Sequence, residues 1–168
     1  MTSLQTGELA MVAELASDPQ RLGEALSRAL HAIGEVVPYD LAAVFRLQQD
    51  DTLKVVCAEG KLADARVRNH SISLQRFPTV RRALESRRPI ALAEHDHTGE
   101  GDPYDGILDL DHGHSCMVVP LYAGTATMGL ITLDRSTCGV YEPQNVEVAG
   151  IYGQLVGMAL AFADKANE

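Results

Sequence analysis

The sequence predicts an α+β domain built on a mostly antiparallel sheet, with its N- and C-terminal helices packed together on one face. Three observations carry this reading. Helical periodicity occupies both ends of the chain, while alternating and β-branched runs fill its middle. The clearest strand signals come as two pairs, 41–47 with 53–59 and 115–122 with 128–134, each joined by a short turn. The closing helical stretch carries an apolar stripe wide enough to cover a sheet and also to serve a homodimer. Strands gathered between terminal helices, rather than alternating with them, give α+β. No repeat, low-complexity tract or linker interrupts the 168 residues, so residues 1–168 read as one domain.

In chain order, residues 4–16 form an amphipathic helix through Leu9, Val12, Ala13 and Leu15. Asp18 caps a second helix with Pro19 at its first helical position, where a missing N–H costs nothing. Leu22, Leu26, Ala29, Ile33 and Val37 form its stripe, and Pro38 ends it. LAAVFRL (41–47) and LKVVCAE (53–59) read as a hairpin across QQDD. NHSISL holds a further strand with Ser71 and Ser73 on one face. Pro78 starts the short helix PTVRRALES, and RRPIALAE (87–94) gives another strand. SCMVVPLY (115–122), the turn AGTAT and MGLITLD (128–134) form the strongest β signal. Pro143 opens the last helix, striped by Val146, Ala149, Tyr152, Leu155, Val156, Ala159, Leu160 and Ala163.

Composition bounds the function. Hydrophobic residues make up 46% and charged residues 22%, as in ordinary globular domains, and there is no Trp. A formal charge of −9 opposes direct binding of nucleic acid or an anionic membrane. Seven arginines lie between Arg66 and Arg88, either as a solvated helix face or as a local anion or partner site. No apolar run reaches the length of a membrane span, and MTSLQTGELAMVAEL lacks the basic lead of a signal peptide. Cys57, Cys116 and Cys138 form neither a CxxC pair nor a framework, which predicts reduced thiols and a cytoplasmic setting. Cys57, on a strand, reads as a small buried hydrophobe.

The most unusual stretch runs from His95 to Cys116. It holds four of the six histidines, six acidic residues (Asp96, Glu100, Asp102, Asp105, Asp109, Asp111) and a terminal cysteine. No Lys or Arg occurs between Arg88 and Arg135. Carboxylates, imidazoles and a thiolate together are the donors of a transition-metal site, although a solvated acidic loop has the same composition. In DPYDG, Asp102 and Asp105 are three residues apart and face one way if the segment takes a helical turn. Asp102 there is equally an N-cap ahead of Pro103, whereas no cap requires Asp105. In HSC, period two puts His114 and Cys116 on one strand face, as ligands or with Cys116 in the core and His114 at the loop edge. Asp134 shares a face with Thr132, either as a ligand or as a strand-end turn former. His95, His97 and His112 read as solvent-facing.

VVPLYAGTATMGLITLDR followed by YEPQNVEVAGIYGQLVGMAL resembles the closing half of a GAF domain. DPYDG, HSCMVVPLYAG and ITLD together resemble the N-terminal GAF domain of NorR-type nitric-oxide-responsive bacterial regulators. The resemblance implies a non-catalytic sensor domain in which a mononuclear non-haem ferrous ion binds nitric oxide. Occupation of that iron would act on an AAA+ ATPase domain working with sigma-54 RNA polymerase. Carried over by motif, the ligands are Asp102 and Asp105, then His114 and Cys116, then Asp134. The ATPase domain would act in cis or in trans, since nothing after Glu168 could supply it or a DNA-binding helix-turn-helix. One departure stands out: the family has an arginine after a His-Pro pair, where this chain reads FPT, with Thr79 at that position. Arg76, Arg81 or Arg82 are the local candidates to replace it. Two other functions fit a GAF fold: a metal-free module that binds a small ligand or only dimerises, and a free-methionine-sulfoxide reductase. The second is weakened because the three cysteines are not closely grouped.

Overall fold

The computed structural model describes residues 3–93, 103–108, 115–137 and 139–168. Its elements are α1 (Ser3–Ala16), α2 (Leu22–Gly34), β1 (Leu41–Leu47), β2 (Thr52–Glu59), α3 (Ala65–Arg68) and β3 (Ser71–Ser73). There follow α4 (Pro78–Ser86), β4 (Ile90–Ala93), β5 (Ser115–Ala123), β6 (Ala126–Arg135) and α5 (Pro143–Ala166). The strands form one six-stranded sheet in the order β3-β2-β1-β6-β5-β4, and every neighbouring pair is antiparallel. The predicted fold class is the one observed.

Period two divides the sheet into two cores. Ala42, Val44, Met117, Val119, Ile131 and Leu133 face α1, α2 and α5 through Val12, Leu26, Ile33, Tyr152 and Leu160. Leu41, Phe45, Val118 and Leu130 face the other way, onto Val67 of α3, Val80 and Leu84 of α4, and Tyr104 of the 103–108 turn. The terminal helices therefore take one face and leave the other to short elements and loop. Helix α5 lies directly on β5: a Cβ at Gly153 would stand 2.6 Å from Val119 Cγ1, and one at Gly157 2.6 Å from the Tyr122 carbonyl oxygen. These glycines let helix and strand backbones approach.

Several boundaries differ from the expectation. Asp18 caps a 3-10 turn, Pro19–Arg21, through the Gln20 N–H at 3.0 Å, and α2 starts only at Leu22. Helix α2 stops at Gly34 rather than at Pro38, because the Tyr39 ring lies against Gly34 and its hydroxyl donates to the Leu30 carbonyl at 2.8 Å. Val37 stays fully buried outside the helix. Ala13, expected on the apolar stripe of α1, is exposed. The predicted five-residue turn AGTAT is only two residues long, since β5 runs to Ala123 and β6 starts at Ala126. Helix α3 was not anticipated; Asp64 caps it by accepting the Val67 N–H at 3.0 Å.

The expectation that no stretch has the length of a membrane span is corrected by α5, which has 24 residues and a mean hydropathy of 1.5 in its most apolar window. It is apolar on two sides: one packs on β5 and α2, and the other leaves Ile151, Met158 and Phe162 exposed.

Candidate functional site

On the face away from the terminal helices, β5 and β6 bring two of the predicted ligands together. Cys116 pairs directly with Asp134, with Leu41 of β1 beyond Asp134 and Leu92 of β4 beyond Cys116. Both donors are buried, Asp134 at 3% exposure and Cys116 at 7%. Asp134 is thus a buried strand residue rather than a turn former. This pairing depends on one irregularity. At the turn Tyr122 pairs with Thr127, but beyond it Leu121 pairs with Gly129, so one extra residue enters β6. Without that bulge Cys116 would meet Leu133, which belongs to the other face. Gly129 makes the bulge feasible: its φ is +153°, and a Cβ there would collide with the Phe45 carbonyl.

One pleat along from Asp134 is Thr132, and on it rests the loop. The Tyr104 hydroxyl lies 2.6 Å from Thr132 Oγ1, and Tyr104 is almost fully buried. Its ring packs against Phe45 at 6.1 Å and His70 at 5.7 Å between centroids. His70 Nε2 stands 2.7 Å from the Pro103 carbonyl oxygen, so that nitrogen carries the proton. The Tyr104 carbonyl accepts the N–H groups of Ile107 and Leu108, both at 2.9 Å, which closes the turn. Tyr104 and His70 therefore pin residues 103–106 over the face that presents Cys116 and Asp134. Asp105, on the same turn, has an exposed side chain.

Asp102 and His114 lie outside the described residues, as do His95, His97, His112, Asp96, Glu100, Asp109, Asp111 and Cys138. Among the described residues no three of His, Cys, Asp and Glu gather as a metal-binding group. Sequence reasoning passed over Tyr104, His70 and Thr132. The available signal is an aromatic residue, Tyr104, set inside a loop rich in carboxylates.

The surroundings of Asp134 are well tied. Its backbone carbonyl accepts the Asp40 N–H at 2.8 Å, and the Asp40 carboxylate accepts the Ser136 N–H at 2.7 Å with Lys61 at 3.1 Å. Those bonds, the Ser136 N–H foremost, hold the Asp40 carboxyl below the usual carboxylate range. Burial, and secondarily the Asp134 charge, push the Tyr141 phenol up; its hydroxyl donates to the Pro38 carbonyl at 2.7 Å. Arg135 alternates to the opposite sheet face, with its guanidinium 4.4 Å from the Tyr141 ring centroid.

The arginine-rich segment resolves into local contacts. Arg81 reaches Asp51 at 3.5 Å, Arg76 sits over the Phe77 ring, and Arg68 donates to the Ala63 and Ala58 carbonyls. Arg82 donates to Thr79 Oγ1 at 3.2 Å. Cys57 packs toward α2, on the face opposite Cys116, and burial pushes its thiol up to about 11.

Known proteins show the same architecture. The GAF domain family matches residues 21–160. Regulatory protein LuxO of Vibrio cholerae is 28% identical over 154 residues, 86% of this chain and 28% of that protein. The nitric oxide reductase transcription regulator NorR1 of Cupriavidus necator is 31% identical over 105 residues, 60% of this chain and 20% of that protein. The chain thus spans roughly a quarter of the length of these relatives. Among solved structures, the GAF domain of a phosphoenolpyruvate-protein phosphotransferase from Coxiella burnetii superimposes with a TM-score of 0.76 at 14% identity, covering 97% of this chain and 96% of that one. The free methionine-R-sulfoxide reductase of Neisseria meningitidis, solved with its substrate, gives a TM-score of 0.69 at 15% identity, covering 98% and 92%. At such identities the likeness speaks for the fold alone. Matched residues and fold agree: the chain belongs to the GAF domain family, and within it is related to bacterial regulatory proteins.

Proposed function

We propose that this is the sensor domain of a transcription regulator, holding one ferrous ion and detecting nitric oxide there. Asp102, Asp105, His114, Cys116 and Asp134 would be the ligands, and an AAA+ ATPase domain in cis or in trans would receive the signal. The observation that supports this reading is that Tyr104 rests, through Thr132, on the face where Cys116 and Asp134 are paired. The donor set fits in kind: a buried carboxylate beside a thiol gains from a divalent cation, and mixed O, N and S donors suit iron. Asp105 would have to turn inward from its exposed position. Ferrous iron would supply the chemistry of binding a diatomic gas; the chain's own residues would hold the donors, with buried Leu41, Leu92 and Tyr104 keeping water from Cys116 and Asp134.

The test is anaerobic loading with ferrous iron, exposure to nitric oxide, and electron paramagnetic resonance. About one iron per chain and a nitrosyl signal are expected. Asp105→Ala should abolish the signal while leaving the fold intact, because its side chain is exposed. A signal unchanged in that variant removes Asp105 from the site.

A metal-free module is the second reading. It is favoured by the apolar packing of Tyr104 against Phe45 and by the exposure of Asp105. Failure of wild-type protein to take up iron would select it. Thiol exchange between Cys57 and Cys116 has no geometric support, since they occupy opposite faces of the sheet.

A further inference from the structure

We propose that the groove between the end of β5 and the flank of α5 binds a short unblocked apolar peptide, its amino end at Glu147 and its carboxylate at Arg87. The proposal is independent of iron, and the groove lies toward the opposite end of β5 from Cys116. Strand β4 pairs with β5 only as far as Ile90 with Val118. Upstream of Ile90 the chain turns into α4, which Arg87 closes with a φ of +58°. Among the described residues no strand therefore stands beside residues 119–123 on that side. The lane left open is a groove of about 390 Å³, within the range of small-ligand sites. Its walls are stiff and apolar. Pro89, Pro120 and Pro143 line it with Val146 and Ile151, and a Cβ at Gly150 would stand 3.0 Å from Pro89 Cγ. An open strand edge offers main-chain hydrogen bonds to an extended peptide, and such walls select its side chains.

Charge selects the orientation. At one end the Arg87 guanidinium lies 4.6 Å from the Tyr122 ring centroid and donates to the Gly124 carbonyl at 2.7 Å. A guanidinium has further N–H donors, which can meet a carboxylate. Gln154 marks the same end, donating to the Tyr122 hydroxyl at 3.3 Å. At the other end Glu147 is exposed, with no hydrogen bond or ion pair among the described residues. Glu147 and Gln154 are about two helical turns apart on α5, roughly 10 Å. An extended peptide rises about 3.3 Å per residue, so two or three residues reach from end to end. A single amino acid is too short to fill that span. Opposite charges at the two ends thus call for a ligand with both its own ends free, laid in one direction.

The test titrates the full chain with the tripeptide Ala-Leu-Ala, read by calorimetry and by backbone amide shifts. A dissociation constant on the order of 0.1 mM is expected, with shifts centred on Tyr122, Glu147 and Gln154. Acetylating the amino end or amidating the carboxyl end should each weaken binding about fivefold or more. Glu147→Gln, at an exposed position, should bind free and acetylated peptide alike while still rejecting the amide. Arg87→Gln should do the reverse. No binding at about 10 mM, or blocked ends without effect, would overturn the proposal. So would free leucine binding as tightly as the tripeptide, or shifts centred on Tyr104 and Cys116, which would place the ligand on the other side of the sheet.

Discussion

The Tyr104 hydroxyl and Thr132 Oγ1, 2.6 Å apart and both buried, join the acidic loop to the sheet two residues from Asp134. One of the two hydroxyls donates, so removing the Tyr104 hydroxyl takes a hydrogen-bond partner from the buried Thr132. Tyr104→Phe should cost about 1–2 kcal/mol in urea unfolding, the range for a buried polar group losing its bond. Tyr104→Ala should cost about 3–5 kcal/mol, because the ring against Phe45 and His70 goes too. If the Phe variant matches wild type, the hydroxyl pair does not hold the loop.

Helix α5 offers a test in which local propensity and tertiary packing oppose each other. On an isolated helix Gly→Ala would stabilise by roughly 1 kcal/mol. At Gly157 the added Cβ would stand 2.6 Å from the Tyr122 carbonyl oxygen and 2.9 Å from the Tyr122 nitrogen, both backbone atoms of β5. Neither can turn aside as a side chain can. Gly157→Ala should therefore destabilise by about 1–3 kcal/mol, seen as a lower Tm. An unchanged or higher Tm would mean α5 is not seated on β5 as described.

Alkaline pH should weaken the fold. Burial pushes the Tyr39 phenol up to about 12 and the Cys57 thiol up to about 11, and it raises Tyr141 and Tyr152 as well. Each of these groups is neutral when protonated. Below its ordinary value, folded and unfolded chains both keep the proton and the full stability is present. As pH rises past that value, the unfolded chain ionises first and stability is lost until the folded group ionises. Urea midpoints should fall from about pH 9 to about pH 12. Cys57→Ala should delay the onset of the fall from about pH 9 to about pH 10, where the tyrosines begin to contribute, which is checked by repeating the series on that variant.

What was legible in the sequence was whatever local periodicity governs. LAAVFRL forms β1 over the residues expected, and the stripe from Ala149 to Ala163 is the buried side of α5. The end of α2 was not legible, because it depends on Tyr39 reaching back to Leu30 across the chain. Nor was α3, whose four residues are too few to show a stripe. For the site, period two gives the faces of Cys116 and Asp134 separately. Their pairing comes from the bulge before Gly129, and a hairpin read without it puts Cys116 beside Leu133. In DPYDG the carboxylates carry the sequence pattern, yet among its described residues Tyr104 makes the contacts and Asp105 faces solvent.

Thr79 is where this chain departs most clearly from the NorR-like pattern, and its surroundings suggest how the departure is met. It is the second residue of α4, buried, and it accepts a hydrogen bond from Arg82 at 3.2 Å. Arg81 is turned to Asp51 and Arg76 to Phe77, so Arg82 is the local arginine that brings its guanidinium to this position. It does so from one helical turn onward, with a single hydrogen bond rather than a bidentate clamp. Removing a cation from among carboxylates does not oppose binding of a divalent metal, so iron uptake should survive in the wild-type chain and in Arg82→Ala. Coupling should not: in a fusion to a responsive ATPase domain, Arg82→Ala should blunt the response to nitric oxide while the nitrosyl signal persists. Thr79→Arg introduces a second guanidinium into a buried position beside the first. It should cost about 1–3 kcal/mol of stability unless a carboxylate pairs with it. The decisive comparison is iron content across the three proteins. If wild type holds none and Thr79→Arg restores it, arginine at this position serves metal binding rather than coupling, and the wild-type chain is a GAF domain that has lost its iron.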